Sequence, residues 1–242
     1  MRAVILAAGV SRRLYPLTET IPKCLLKVGE KPIIAYQLEA LQELNVFNTT
    51  VIVGYYREQL QDYLIRTFPQ FTFNFVVNHH FFDTNTAYSM YLCREELGSD
   101  QQLIINGDVL YPRVLLQRVM DAKYNSVLAV DIKSCGSEEV KVVEGDHQRI
   151  VAIGKRLMPE NVLGEFLGVA RFSQPLTQAF AHSLTTLVEA GGKEDYFEAA
   201  IDPLLRTFAV NYVDVSDLPC IEIDFVEDYQ RAQKLVKNEL FS

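Results

Sequence analysis

The 242-residue chain carries 23 lysines and arginines against 31 aspartates and glutamates, a formal net charge of −8, and 49% of its residues are hydrophobic. That balance excludes general nucleic-acid binding, which needs a broadly basic face; no apolar run approaches the ~20 residues that cross a bilayer. Residues 3–8 are too short for a signal core, and the four cysteines are far apart with no C-x-x-C pair, so reduced thiols in a soluble cytoplasmic protein are expected.

From the N-terminus, 2–8 is a continuous apolar run suited to a strand buried on both faces. The pattern predicts a helix over 31–45, with Pro32 near its start and Ile34, Leu38 and Leu41 along one side. A strand over 49–55, a helix over 57–68, a strand over 71–77 and a helix over 85–97 follow. A strand over 101–107, a helix over 112–124 and a strand over 126–132 continue the alternation, which implies a mainly parallel sheet covered by helices on both sides. After Lys133 the rhythm changes. Short strands around a polar turn occupy 138–155, and a further strand 164–173. Helices are expected over 175–191 and 195–208, strands over 209–215 and 220–224, and a closing amphipathic helix over 226–240. One α/β domain over 1–242 is expected, with a less regular, substrate-shaping C-terminal portion.

The stretch "LAAGVSRRLYPLTETIPKC" sets a glycine and a group of cations at the exposed end of the first strand, where open α/β sheets bind ligands. Gly9 lets backbone N–H groups approach an anion with no Cβ in the way, and Arg13 and Lys23 offer full positive charges to a polyphosphate. The spacing is neither the G-x-x-x-x-G-K-[ST] of a P-loop nor the G-x-G-x-x-G of a dinucleotide fold. On Gly9 and the charges alone, a plain turn with solvated arginines stands equally well.

The whole string resembles the N-terminal signature of the nucleotidyltransferases (pyrophosphorylases), L-A-A-G-x-G-x-R-[LM]-x-P-L-T followed by P-K about five residues later. Leu6, Ala7, Ala8, Gly9, Arg13, Leu14, Pro16, Leu17, Thr18, Pro22 and Lys23 fit it; Ser11 replaces the second glycine, so the backbone there must turn with a side chain present. The resemblance implies a Rossmann-like three-layer fold with a mainly parallel mixed sheet, residues 1–133 holding the NTP and 134–242 forming an acceptor-binding half with a closing helix. It implies that Leu6, Ala7, Ala8 and Gly9 wrap the triphosphate, while Arg13 and Lys23 act in catalysis by neutralising charge as pyrophosphate leaves.

Asp108 and Asp224 each lie just beyond a predicted strand. Either alone reads as a turn or cap aspartate, but the resemblance makes the pair ligands of Mg²⁺, which prefers few carboxylates with water and phosphate oxygens. Glu222 is read as pointing to the other strand face and as structural. The segment "NTAYSMYL" reads as a helix capped by Thr84 or Asn85. It also resembles a stretch of bacterial phosphocholine and phosphonate cytidylyltransferases, which implies that Asn85 and Ser89, four apart on one helix face, line the nucleotide cleft. The C-terminal half is arranged like the same branch, and Lys141, Lys155, Glu165, Asp195 and Tyr196 are the expected acceptor residues. His79 and His80, adjacent on an extended segment, point to opposite faces and make no metal pair.

The expected function is therefore Mg²⁺-dependent transfer from an NTP, CTP preferred, to a small phosphomonoester or phosphonate. The expected partners are that NTP and a small phosphorylated acceptor, with neither nucleic acid nor membrane. Two other readings compete: a sugar-1-phosphate nucleotidyltransferase using UTP, dTTP or GTP, and an inactive nucleotide-binding regulatory subunit. Retention of Arg13, Lys23, Asp108 and Asp224 together argues against the second.

Overall fold

The first strand, β1 (Arg2–Ala7), lies at the centre of the molecule because every residue after Arg2 is apolar and buried. In the computed structural model, which describes residues 1–98, 100–158 and 161–237, it is followed by the short hairpin strands β2 (Lys27–Val28) and β3 (Lys31–Pro32) and by α1 (Ile33–Glu43). Then come β4 (Asn48–Val53), α2 (Arg57–Thr67), β5 (Thr72–Val77), α3 (Thr86–Leu92), β6 (Gln102–Asn106), β7 (Val109–Leu110), α4 (Arg113–Asp121) and β8 (Val127–Asp131). The second half holds β9 (Lys141–Glu144), β10 (Ile150–Gly154), β11 (Gly164–Phe172), α5 (Gln174–Glu189), α6 (Glu198–Ile201), β12 (Asn211–Asp214), β13 (Ile221–Glu222) and α7 (Val226–Lys237). The last three residues of the predicted closing helix, 238–240, lie outside the described residues.

One mixed sheet runs through both halves. Strands β6, β1, β4 and β5 are parallel neighbours in that order; β11 joins β6 antiparallel, β8 joins β11 antiparallel, and β12 lies parallel to β8. The β9–β10 hairpin attaches to the first residues of β11. Alternate residues of β1 face opposite layers. Ala3, Ile5 and Ala7 pack with Ile34, Leu38 and Leu41 of α1, Leu60 and Leu64 of α2 and Leu115, Leu116 and Val119 of α4. Val4, Leu6 and Ala8 pack with Met90 of α3 and with Leu176, Phe180 and Leu184 of α5. This is the expected three-layer α/β arrangement.

Because the chain goes from β1 to β4 and β5, and then back across to β6, the β1/β6 boundary is where the strand order reverses. Such a switch point opens a crevice beyond the carboxyl ends of the two strands. A third, smaller core beneath α7 joins Leu14, Val28, Ile33, Leu110, Ile221 and Ile223, so the two ends of the chain meet beside that crevice. Two predicted helices are shorter than expected: α3 stops at Leu92, and 195–208 is only a four-residue α6 running into a tight turn at Asp202–Arg206. Pro203, which lacks an N–H, stands where α6 would continue. No described helix is long and apolar enough to cross a membrane.

Candidate active site

A cavity of about 430 Å³, within the range of small-molecule sites, opens at the switch point. Its floor is the end of β1, Leu6, Ala7, Ala8 and Gly9, beside Asn106, Gly107 and Asp108 after β6. The two loops approach so closely that a Cβ on Gly107 would lie 2.6 Å from the Leu6 carbonyl oxygen. Gly9 instead faces open space, with nothing within 4 Å of where its Cβ would be. Ser11 adopts the left-handed conformation (φ 55°, ψ 47°), as a replacement for glycine in this turn must, and its carbonyl accepts from the Thr18 hydroxyl at 2.9 Å.

The cations of the opening stretch meet the acids from far along the chain. Lys23 Nζ lies 2.7 Å from Asp108 Oδ2 and 2.9 Å from Asp224 Oδ1. Arg13 reaches Asp224 Oδ2 at 2.6 Å and Glu138 Oε2 at 3.4 Å, with Phe225 under its guanidinium at 4.6 Å. Burial alone would weaken the Lys23 ammonium, but Asp108, Asp224 and Glu222 outweigh it and hold its pKa well above the ordinary value. Burial likewise pushes Asp224 up, yet Lys23, Arg13 and Lys155 together bring its carboxyl below the usual range.

Glu222 departs from expectation. It does not point away: Asp108, Glu222 and Asp224 each offer an oxygen, all within 4.8 Å of one another. Residues two apart on an extended strand share a face, so Glu222 and Asp224 project together. Burial, then the charges of Asp108 and Asp224, raise the Glu222 carboxyl well above its ordinary range. Asp108 Oδ1 is buried with no hydrogen-bond partner among the described residues. An orphaned carboxylate oxygen within an acidic triad is the donor set that a hard divalent cation takes.

One wall is α3. Asn85 caps it by accepting from the Thr86 N–H at 2.8 Å, and Asn85 and Ser89 both line the cavity. Asn78, which sequence reasoning passed over, is buried behind them and donates to Thr84 Oγ1 and Ser89 Oγ, both at 3.1 Å. The start of α3 also grips the acceptor-side segment. Asn85 and Ala87 donate to the carbonyls of Lys193 and Asp195, and Phe197 N–H donates to Thr86 Oγ1. This seam holds Tyr196 and Glu198 in the cavity. Lys155 closes the far side, donating to Glu138 Oε2 at 3.2 Å and Tyr196 Oη at 3.1 Å and lying over the Tyr196 ring at 4.7 Å.

Of the five expected acceptor residues, Lys155 and Tyr196 line the cavity, whereas Lys141, Glu165 and Asp195 do not. All three misses have one cause. Each is the immediate neighbour of a lining residue (Val140, Phe166 and Tyr196) on extended backbone, so it points to the opposite side. Lys141 is buried and donates to the Lys155 carbonyl at 2.7 Å, while Glu165 is held by Lys133 Nζ at 2.6 Å. Glu138 and Glu198 take their places. Alternation could not have found them, since Phe197 is helical and residues 137–139 form a bend. His79 and His80 make separate contacts, with Arg57 and Asp83 respectively.

Residues 2–140 match the model of the nucleotidyl transferase family. The chain is 30% identical, over 99% of its own length and 100% of the relative's, to choline-phosphate cytidylyltransferase of Streptococcus pneumoniae. It is 27% identical to CTP:phosphoglutamine cytidylyltransferase of Campylobacter jejuni, covering 72% of this chain and 73% of that one. The solved structure of CTP:phosphocholine cytidylyltransferase from Streptococcus pneumoniae superposes with a TM-score of 0.81 at 28% identity, covering 97% of this chain and 98% of the other.

Proposed function

The chain belongs to the nucleotidyl transferase family, and from that premise we propose that it transfers a cytidylyl group from CTP to a small phosphomonoester or phosphonate, releasing pyrophosphate. One observation carries the reading: Arg13 and Lys23 converge with Asp108 and Asp224 at the carboxyl ends of β1 and β6. CTP as donor is supported by likeness to cytidylyltransferases over nearly the whole length of the chain. The same reading assigns the nucleotide to residues 1–133 and the acceptor mainly to 134–242, in a cytoplasmic enzyme whose four cysteines are free thiols.

In this reading the attacking oxygen is the acceptor's own phosphate or phosphonate oxygen, so no covalent enzyme intermediate and no strong base are needed; positioning and charge neutralisation do the work. The backbone of Ala8 to Ser11 cradles the triphosphate. Arg13 and Lys23 bind the oxygens on which charge accumulates as the α–β bond of CTP breaks. Asp108, Glu222 and Asp224 would hold Mg²⁺, which when bound neutralises phosphate charge and fixes the phosphates in line. Lys155 orients the acceptor's phosphoryl group.

Pyrophosphate release from each of the four common NTPs, against phosphorylated acceptors with and without EDTA, tests this. CTP should exceed the other three by about tenfold or more in kcat/KM, and EDTA should abolish release. Preference for UTP, dTTP or GTP with a hexose 1-phosphate would replace the reading with a sugar nucleotidyltransferase.

A further inference from the structure

We propose that Glu198 selects the acceptor, its carboxylate accepting N–H donors from a short head group that carries a primary or secondary ammonium. The inference rests on the transferase reading above and names the acceptor class within it. Glu198 begins α6, lines the cavity, is 3% exposed, and its Oε2 is buried with no hydrogen-bond partner among the described residues. A buried carboxylate oxygen left without a donor is costly and is accordingly rare. Lys155, the cation that acts on it, donates to Glu138 and Tyr196 and not to Glu198. The described residues leave this oxygen to a ligand.

The surroundings narrow what that partner is. Phe166 and Val140 give the same cavity an apolar wall, and a neutral hydroxyl donating to Glu198 would leave the charge of a buried carboxylate unpaired. A quaternary ammonium could take an aromatic face, and Phe81 and Phe166 line the cavity, but a trimethylated nitrogen has no N–H to give Glu198 and would leave its Oε2 without a donor. An alkylammonium satisfies both walls, setting its methylenes on Phe166 and Val140 and its N–H groups on the carboxylate. Burial, then Asp108, push the Glu198 carboxyl up to about 7 against a backbone hydrogen bond and the pull of Lys155, and an arriving cation favours the ionised form. Asp108 and Glu198 line one cavity of about 430 Å³, which suits a short head.

The test is pyrophosphate release from CTP with phosphoethanolamine, phosphocholine and ethyl phosphate, for the wild type and for Glu198→Gln. In the wild type, kcat/KM for phosphoethanolamine should exceed each of the others by about tenfold or more, and in Glu198→Gln that preference should shrink to about threefold or less. Equal or better use of phosphocholine or ethyl phosphate by the wild type overturns the inference, as does an undiminished preference in folded Glu198→Gln. If the variant does not fold, calorimetric binding of phosphoethanolamine and phosphocholine to the wild type with CTP decides, and equal affinities overturn the inference. Release with a hexose 1-phosphate alone keeps the transferase and removes the ammonium head. Silence with every acceptor contradicts the transferase reading itself.

Discussion

The Glu198 carboxyl is raised from an ordinary 4.5 to about 7, chiefly by burial, and this has a consequence for stability as well as for binding. A carboxyl that holds its proton more tightly in the folded chain than in the unfolded one contributes stability that is complete below its unfolded pKa. That stability is lost as the pH rises through the folded value. Asp224, with its carboxyl held below the usual range, works in the opposite sense at lower pH, so only a difference measurement isolates Glu198. Glu198→Gln cannot ionise. In denaturant titrations between about pH 4.5 and 7 it is predicted to lose less stability than the wild type, by on the order of 2 kcal/mol. Parallel curves for the two proteins would show that Glu198 titrates normally. The same residue shows where reading the sequence stopped short. Asp195 and Tyr196 stand out as an acid beside an aromatic, but extended backbone turns Asp195 away and brings Tyr196 in, with Glu198 following at the start of α6. At Ser11 a turn made with a side chain present was legible, and its positive φ shows how the backbone makes it.

Strands and turns decide which residues the site receives. β11 bends because its pairing with β8 slips between Phe166 and Ala170, and Gly168 sits in that slip at φ +69°. A Cβ there would meet the Asn106 side chain at 2.4 Å, and Asn106 lines the cavity. Gly168→Ala is therefore strained in its backbone and pushes on the floor of the site at once. It should cost roughly 1–3 kcal/mol in unfolding free energy and lower kcat/KM. Gly154→Ala, with nothing within 4 Å of the added methyl, serves as the control; an equally stable Gly168→Ala would mean that the bulge adapts freely. The long elements were readable because buried parallel strands are continuous apolar runs and their helices carry one apolar face. The two-residue strands β2, β3 and β7 have no such pattern. β2 and β3 are defined by each other across a tight turn and β7 by its distant partner β13, which itself falls within the strand expected over 220–224.

At the scale of the whole molecule, the site exists because the chain's two ends are packed against each other. Tyr229 and Gln233 of α7 donate to the Lys27 carbonyl, and Gly29 N–H donates back to Gln233. This fixes the hairpin that follows Lys23 to the helix that follows Asp224. At the start of that helix, Asp228 accepts from the Asp224 and Phe225 N–H groups, which sets the strand end carrying the acids. No periodicity announces such a contact between residues about 200 apart; the family resemblance singled out Arg13 and Lys23 as phosphate cations and Asp108 and Asp224 as metal ligands, but not their pairing with one another. The central claim is that this junction is the reaction centre, with Lys23 between Asp108 and Asp224. Its most direct test is the turnover of Lys23→Ala at saturating CTP, acceptor and Mg²⁺, with folding checked by circular dichroism and the exposed Lys237→Ala as control. The account predicts a fall in kcat of about 10²-fold or more for Lys23→Ala and none for Lys237→Ala; near-normal turnover of a folded Lys23→Ala would contradict it.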